Sequence, residues 1–344
     1  MHIAHVNLAR GYRGGERQTE LLVRSLATQD VRQSLIVRHG SPLAERLADV
    51  DVELRPCSPN LLAAFRATRG CDVVHSHEGR GVYAAWLRSL TSGTPYIVTR
   101  RVNNPIGAGR LTRNVYRRAA WVAAVAQDIA NIVAEYDADI RSCVVHSSSS
   151  GLVVDPTAVR AIQRTFAGKW LVGNVAALDN AQKGQEYIIE VARQLHSSHP
   201  DIHFVLVGGG PDEQILREHA SGLNNLSFTG FVDNVGDYLA AFDLFVLPSN
   251  REGIGGILLD AMDQSLPVIA TRVGGLPEIV KDNDNGLLID AGSAEQLQAA
   301  ILRLYTDRDL GARLGARGHE FARDCTAAAM AGRYLSLYTD ALDR

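Results

Sequence analysis

Short apolar runs recur along the chain, separated by longer stretches whose apolar positions fall at helical intervals. In the first half, His2–Leu8, Ser34–Arg38, Asp72–His75, Tyr96–Thr99 and Trp121–Val125 predict buried strands, with Glu16–Thr28, Gly79–Leu90 and Leu111–Arg118 as intervening helices. The second half repeats the logic through Trp170–Val175, His203–Val207, Leu226–Phe228, Leu244–Leu247 and Pro267–Ala270. Near-continuous apolar strands alternating with amphipathic helices indicate parallel sheets covered on both faces, so the fold class is α/β and doubly wound.

The chain's 344 residues exceed one ordinary domain, and a hydrophobic content of 46% can fill two cores. A join is expected within residues 155–169, where Asp155-Pro156 opens a short helical segment and Gly168-Lys169 precedes a new strand. This gives residues 1–163 and 164–325 as the two domains. Ala329, Tyr334, Leu335, Leu337 and Tyr338 recur at helical intervals and predict an amphipathic terminal helix over 326–344.

Charge is divided unevenly. Residues 1–170 carry 22 Lys plus Arg against 14 Asp plus Glu, and residues 171–344 carry 13 against 24. The basic half, with Arg100, Arg101, Arg110, Arg113, Arg117 and Arg118 clustered, could attract a phosphate-bearing acceptor or an anionic membrane face, or could simply be solvated. No zinc finger, RNA-recognition aromatic pair or helix-turn-helix accompanies it, so no specific nucleic-acid partner is expected. Four scattered cysteines and the absence of a leader or a membrane-length apolar run predict a cytoplasmic protein, at most peripheral to the inner membrane face.

Five segments carry candidate chemistry. Glu252 precedes the turn Gly253-Ile254-Gly255-Gly256 and a helical segment holding Asp260; Gly255 and Gly256 can let a diphosphate approach backbone N–H groups, with Glu252 placed for hydroxyls. Asp260 is expected roughly two turns along that helix, and the turn itself could be purely structural. Lys183, near a helix entrance, can neutralise a leaving diphosphate. In the first half, Gly14 and Gly15 lie in a strand-to-helix loop beside Arg13 and Arg17, and lack the dinucleotide-binding spacing. His75 and His77 fall on one side of an extended segment, where acid–base work, a metal or a polar core are all open; no third or fourth metal ligand is identifiable, so no metal is expected. Arg101 and Asn103, after another strand, could bind phosphate or carbohydrate.

The run from Glu252 through Asp260, a Pro267-Val268 strand and Gly274-Gly275-Leu276-Pro277-Glu278 resembles the acidic motif of the retaining glycosyltransferase family 4. The Gly14-Gly15-Glu16-Arg17 loop looks like that family's first-domain loop, and both occur in the family's chain order. The resemblance implies a GT-B architecture of two facing Rossmann-like domains, with the terminal helix returning to the first. It further implies retaining transfer from a nucleoside diphosphate sugar, with no cofactor, to a hydroxyl of a saccharide or lipid-linked acceptor, in bacterial surface-glycan assembly such as lipopolysaccharide. By resemblance, Glu252 holds the sugar, Asp260 the ribose, His77 the reacting hydroxyls, Arg101 and Asn103 the acceptor. Gly208 is implied on the phosphate side, and the backbone near Phe231 and Val232 beside the base. Two positions depart from the pattern: Asp260 replaces a second glutamate, and Ala177 replaces an arginine that joins Lys183 in clamping the diphosphate. A noncatalytic nucleotide-sugar-binding protein or a degenerate glycosyltransferase is the alternative.

Overall fold

The computed structural model describes residues 1–344, which divide into two compact units: Met1–Ser150 with Cys325–Arg344, and Gly151–Asp324. The first unit contains strands β1 (His2–Asn7), β2 (Arg32–Arg38), β3 (Glu53–Cys57), β4 (Val73–Ser76), β5 (Tyr96–Arg100), β6 (Trp121–Ala124) and β7 (Ser142–Val144). They form one parallel sheet in the order β3-β2-β1-β4-β5-β6-β7. The second unit contains β8 (Trp170–Val175), β9 (Ile202–Val207), β10 (Leu226–Gly230), β11 (Leu244–Leu247), β12 (Val268–Thr271) and β13 (Leu287–Ile289). These are also parallel, in the order β10-β9-β8-β11-β12-β13.

Every residue of β1 and of β9 is buried, which requires cover on both faces of each sheet. In the first unit, alternation along β1 sends Ala4, Val6 and Leu8 into one apolar cluster and Ile3 into another. The Ile3 cluster is roofed by Leu22 and Leu26 of the helix Gly14–Leu26 and by Met330, Tyr334 and Tyr338 of the terminal helix Ala327–Leu342.

The division falls at Ser150/Gly151, earlier than the boundary at 163/164 expected from the Gly168-Lys169 turn. Residues 151–163 are held within the second unit. Asp155 N donates to Asp237 Oδ1 at 2.7 Å, and the helix Pro156–Thr165 packs on the helix Val235–Ala241. Gly236 permits this approach, since a Cβ there would stand 2.4 Å from Val153 O.

In each sheet the chain winds outward on one side and then crosses to the other, which creates a switch point between β1 and β4 and a second between β8 and β11. Diverging loops at the carboxyl ends of such strands leave a crevice where ligands of open α/β sheets bind. The loops that follow β1, β4, β8 and β11 carry Gly14-Gly15, His77, Lys183 and Glu252 respectively.

The basic cluster is largely consumed by internal bonds. Arg117 pairs with Asp137 at 2.6 Å and Asp139 at 2.7 Å, Arg113 with Asp137 at 3.4 Å, Arg118 donates to Ser89, and Arg100 donates to Asn104 O and Tyr116 Oη. No helix is long and apolar enough to cross a membrane, and none of the four cysteines is in a disulfide.

Candidate active site

In the second unit two loops are locked together by their backbones. After β8, Asp179 caps the single turn Asn180–Lys183, which ends at Gly184 in the left-handed region at φ 64°. A Cβ on Gly184 would stand 2.3 Å from Pro248 O, so only glycine lets this turn sit against the loop leaving β11. Asn250 N and Arg251 N both donate to Gln182 O, at 2.8 and 3.2 Å. The result brings Lys183 Nζ to 2.5 Å from Glu252 Oε2, a charge-assisted hydrogen bond between side chains 21% and 14% exposed. Ser249 Oγ also donates to Glu252 Oε2 at 3.3 Å, and Thr271 Oγ1 ties Ser249 O to β12 at 2.6 Å.

The glycine turn beyond Glu252 is equally constrained. Gly255 has φ 65° and leads to Gly256, which caps the helix Ile257–Asp263. Gly275 N donates to Gly253 O at 2.8 Å, and a Cβ on Gly274 would lie 1.9 Å from Glu252 O. The second glycine turn thus fixes the first from behind. Asp260 is buried in the first turn of that helix, closer to the glycine turn than the two turns expected from spacing. Gly208 donates its N–H to Gly230 O at 2.9 Å, and its φ of 132° allows a crossing where a Cβ would meet Ala176 O at 2.1 Å. What it can offer a phosphate is close approach rather than a donor. Phe231 is 77% exposed and so does not support the loop as core, while Val232 beside it is half-buried. Ala177 is exposed, and Asn174 Oδ1 and Gln185 Oε1 nearby in the chain are buried without partners.

In the first unit, β1 and β4 pair with His5 opposite His75, and His77 follows two residues later on the same face. That parity, shared with Ile3, turns all three imidazoles toward the terminal helix. Ring centroids are 3.9 Å apart for His75 and His77 and 5.3 Å apart for His5 and His77. His75 is a satisfied core residue, since Nδ1 meets Tyr338 Oη at 2.6 Å and Nε2 meets Thr99 Oγ1 at 2.7 Å. His77 is 4% exposed; its Nε2 lies 3.0 Å from His5 Nδ1, but its Nδ1 is buried with no partner. Leaving such a group unpaired costs about 1–3 kcal/mol. Burial lowers the basicity of all three, His5 to about 4 and the other two well below the usual imidazole value, with nearby Arg101 adding to the effect on His75 and His77.

His5 supplies the third imidazole that sequence reasoning did not find, and the nitrogens of the three lie within 4.8 Å of one another. The cluster is nevertheless a hydrogen-bonded one: both nitrogens of His5 and both of His75 already have partners. A metal would have to break those bonds, so the donor set does not fit one. The signal for His5 was its place at the middle of β1, visible only once β1 and β4 are known to be neighbours.

Arg101 follows β5 with its Nε buried and unpartnered, and burial lowers its basicity. A Cβ on Gly15 would lie 3.4 Å from Arg101 Cδ, so the structure brings Arg101 to the Gly14-Gly15 helix entrance. Arg13 N bonds Glu16 Oε2 at 3.0 Å, and Arg17 is committed to Ser150 O and Glu20 rather than aimed at a ligand. Asn103 is half-buried in the loop after Arg101.

The family described as "Glycosyl transferases group 1" matches residues 169–307, within the second unit. The lipopolysaccharide core biosynthesis glycosyltransferase LpsE of Rhizobium meliloti (strain 1021) is 34% identical over 142 residues, 40% of this chain and 41% of that protein. The chain thus spans about two fifths of the length of the first curated relatives it matches. Alpha-maltose-1-phosphate synthase of Mycolicibacterium smegmatis is 27% identical across 89% of both chains. Among solved structures, Anabaena Alr3699/HepE in complex with UDP and glucose superposes with a TM-score of 0.87 at 17% identity, covering 98% of this chain and 99% of that one. That structural likeness shows the fold of the whole chain, and the sequence matches concentrate on the half that carries Lys183, Glu252 and Asp260. The fold of the whole chain is therefore the two-domain GT-B fold, and residues 169–307 match the group 1 glycosyltransferases.

Proposed function

We propose that the protein transfers a sugar from a nucleoside diphosphate sugar to a hydroxyl of a saccharide or lipid-linked acceptor, with retention of anomeric configuration. The observation that carries this reading is the Lys183–Glu252 pair, held by the Gln182–Asn250 backbone bond against the glycine turn at the second switch point. Arrival of a diphosphate would give Lys183 a second anionic partner and release Glu252 for sugar hydroxyls. As the glycosidic bond breaks, Lys183 and the N–H groups at the helix entrance stabilise charge building on the leaving phosphate. That phosphate in turn accepts the proton of the attacking hydroxyl on the same face. Asp260, in the first turn of the helix, binds the ribose, and exposed Phe231 or the backbone beside Val232 meets the base.

In the first unit, His77 and Arg101 recognise sugar or acceptor hydroxyls, with Asn103 beside them and Gly14-Gly15 allowing close approach. The lipopolysaccharide assignment of the Rhizobium relative favours a bacterial surface glycan as product. The uridine nucleotide bound by the Anabaena protein makes a uridine donor the first to test. Peripheral contact with an anionic membrane belongs to this proposal through exposed Arg110, its arginine neighbours being engaged internally. A cytoplasmic location belongs to it as well.

A donor panel offered with and without hydroxyl acceptors tests the reading through acceptor-dependent release of nucleoside diphosphate. Exposed Ala177, in place of the clamping arginine, favours a second reading as a nucleotide-sugar-binding protein without turnover. Donor binding with no release across a broad panel would select it.

A further inference from the structure

The hydrogen-bond pattern around His77 determines which of its nitrogens carries the proton, and the determination begins two side chains away, at Gln33. Gln33 Nε2 lies 3.0 Å from Val23 O, a backbone carbonyl that can only accept, so the amide orientation of Gln33 is settled. Its Oε1 therefore faces His5 Nε2 at 3.1 Å and can only accept from it. His5 must carry its proton on Nε2. Burial keeps His5 neutral, so its Nδ1 is a lone pair and accepts from His77 Nε2 at 3.0 Å. His77, also kept neutral by burial, then has no proton left for Nδ1. That bare nitrogen is the buried, unpartnered atom noted above.

We propose that Gln33 and His5 are positioning residues that fix His77 as its Nε2–H tautomer, so that His77 Nδ1 presents an obligatory hydrogen-bond acceptor to a hydroxyl of the substrate. The proposal rests on the transferase reading for the identity of that hydroxyl, and on the first unit alone for the tautomer. Arg101 Nε–H, buried and unpartnered near the same cluster, is the complementary donor. A sugar hydroxyl both donates and accepts, and so suits this pair. An ether or fluorine in its place cannot donate to Nδ1 and leaves the nitrogen unsatisfied.

The chain Val23 O, Gln33, His5, His77 also explains why a glutamine and a histidine are buried in the apolar centre of the sheet. Neither Gln33 nor His5 can reach a ligand through its polar atoms, because every one of them is already engaged. Their effect passes through the His77 proton.

The test is long-range 1H–15N correlation on histidine-labelled, ligand-free protein, which separates the two tautomers by their cross-peak patterns. Both His5 and His77 are expected as Nε2–H, and an Nδ1–H pattern for His77 would overturn the proposal. In Gln33→Leu, His5 loses the acceptor that holds its proton, and the His77 pattern should become mixed. His5→Phe should lower kcat/KM by about tenfold, the scale of one neutral hydrogen bond. His5→Asn, whose Oδ1 can stand in for Nδ1, should restore most of the loss. The thermal midpoint of each variant is read alongside: if His5→Asn folds but does not recover activity over His5→Phe, His5 is only structural. Were the wild-type protein to turn over no donor, the transferase reading would fall, while the NMR result would still decide the tautomer.

Discussion

Replacing Lys183 with alanine separates the catalytic reading from a structural one. The Nζ–Oε2 distance of 2.5 Å corresponds to about 7 kcal/mol of bare Coulomb attraction at an effective dielectric of about 20. Little of that is net stability, because both side chains retain contact with water and desolvation opposes the attraction. The expected loss of folding free energy is about 1 kcal/mol. In turnover the effect should be larger, because in the proposed reaction Lys183 faces charge that develops only as the diphosphate leaves; loss of one preorganised stabiliser of this kind costs about 100- to 1000-fold in kcat. The measurement pairs nucleoside diphosphate release under saturating donor with urea unfolding of the same preparation. Lys183→Arg should recover part of the rate, since the charge is kept but the fork does not match a single carboxylate oxygen and a turn this tight. A Lys183→Ala protein that unfolds like the wild type and turns over within threefold of it would refute the diphosphate role.

Glu252→Gln should alter discrimination between epimeric donor sugars, whereas Asp260→Ala should weaken even the free nucleoside diphosphate; calorimetric titration showing equal losses for every ligand would cancel that division. Phe231→Ala should leave the unfolding midpoint unchanged, given its 77% exposure, while weakening nucleotide binding several-fold, about 1 kcal/mol for a lost aromatic stack; unchanged affinity would remove Phe231 from the base site. His5 and His203 have folded-state values near 4, depressed by burial from 6.5. The unfolded chain therefore binds more protons between these values, so stability is full above pH 6.5 and is lost as pH falls toward 4, by up to about 3 kcal/mol for each residue. Urea unfolding at pH 7 and 4.5 should show that loss, and His203→Gln should shallow it.

The fold was legible where burial is complete. Strands such as β1, β9 and β11 are buried throughout and mostly apolar, and their runs marked them without help from neighbours. β3, β7 and β13 were not read. β3 is an edge strand carrying Glu53, Arg55 and Pro56, while β7 and β13 have three residues each, too few to show a period. Their strand identity comes from pairing with a neighbour, which is a tertiary property. The domain boundary moved for a related reason, since residues 151–163 are held to the second unit by a bond to Asp237 and by a close approach that Gly236 permits, both far along the chain.

For the site, legibility followed sequence distance. Glu252, the glycine turn and Asp260 are near neighbours in the chain, so their grouping could be read directly. Lys183 is 69 residues from Glu252, and what joins them is the contact of Gly184 with Pro248 O, which spacing does not encode. His77 shows the limit more sharply. Its position at the end of a strand was legible, but its chemistry depends on which nitrogen holds the proton. That depends on Gln33, a residue on β2 with no motif around it, made relevant only because β1 lies between β2 and β4. Strand order therefore carries chemical information in this protein: it ranks three adjacent strands so that a glutamine, a histidine and a second histidine form one directed row. Reversing any one donor in that row reverses the next, which is why a conservative change at Gln33 is expected to be felt at His77.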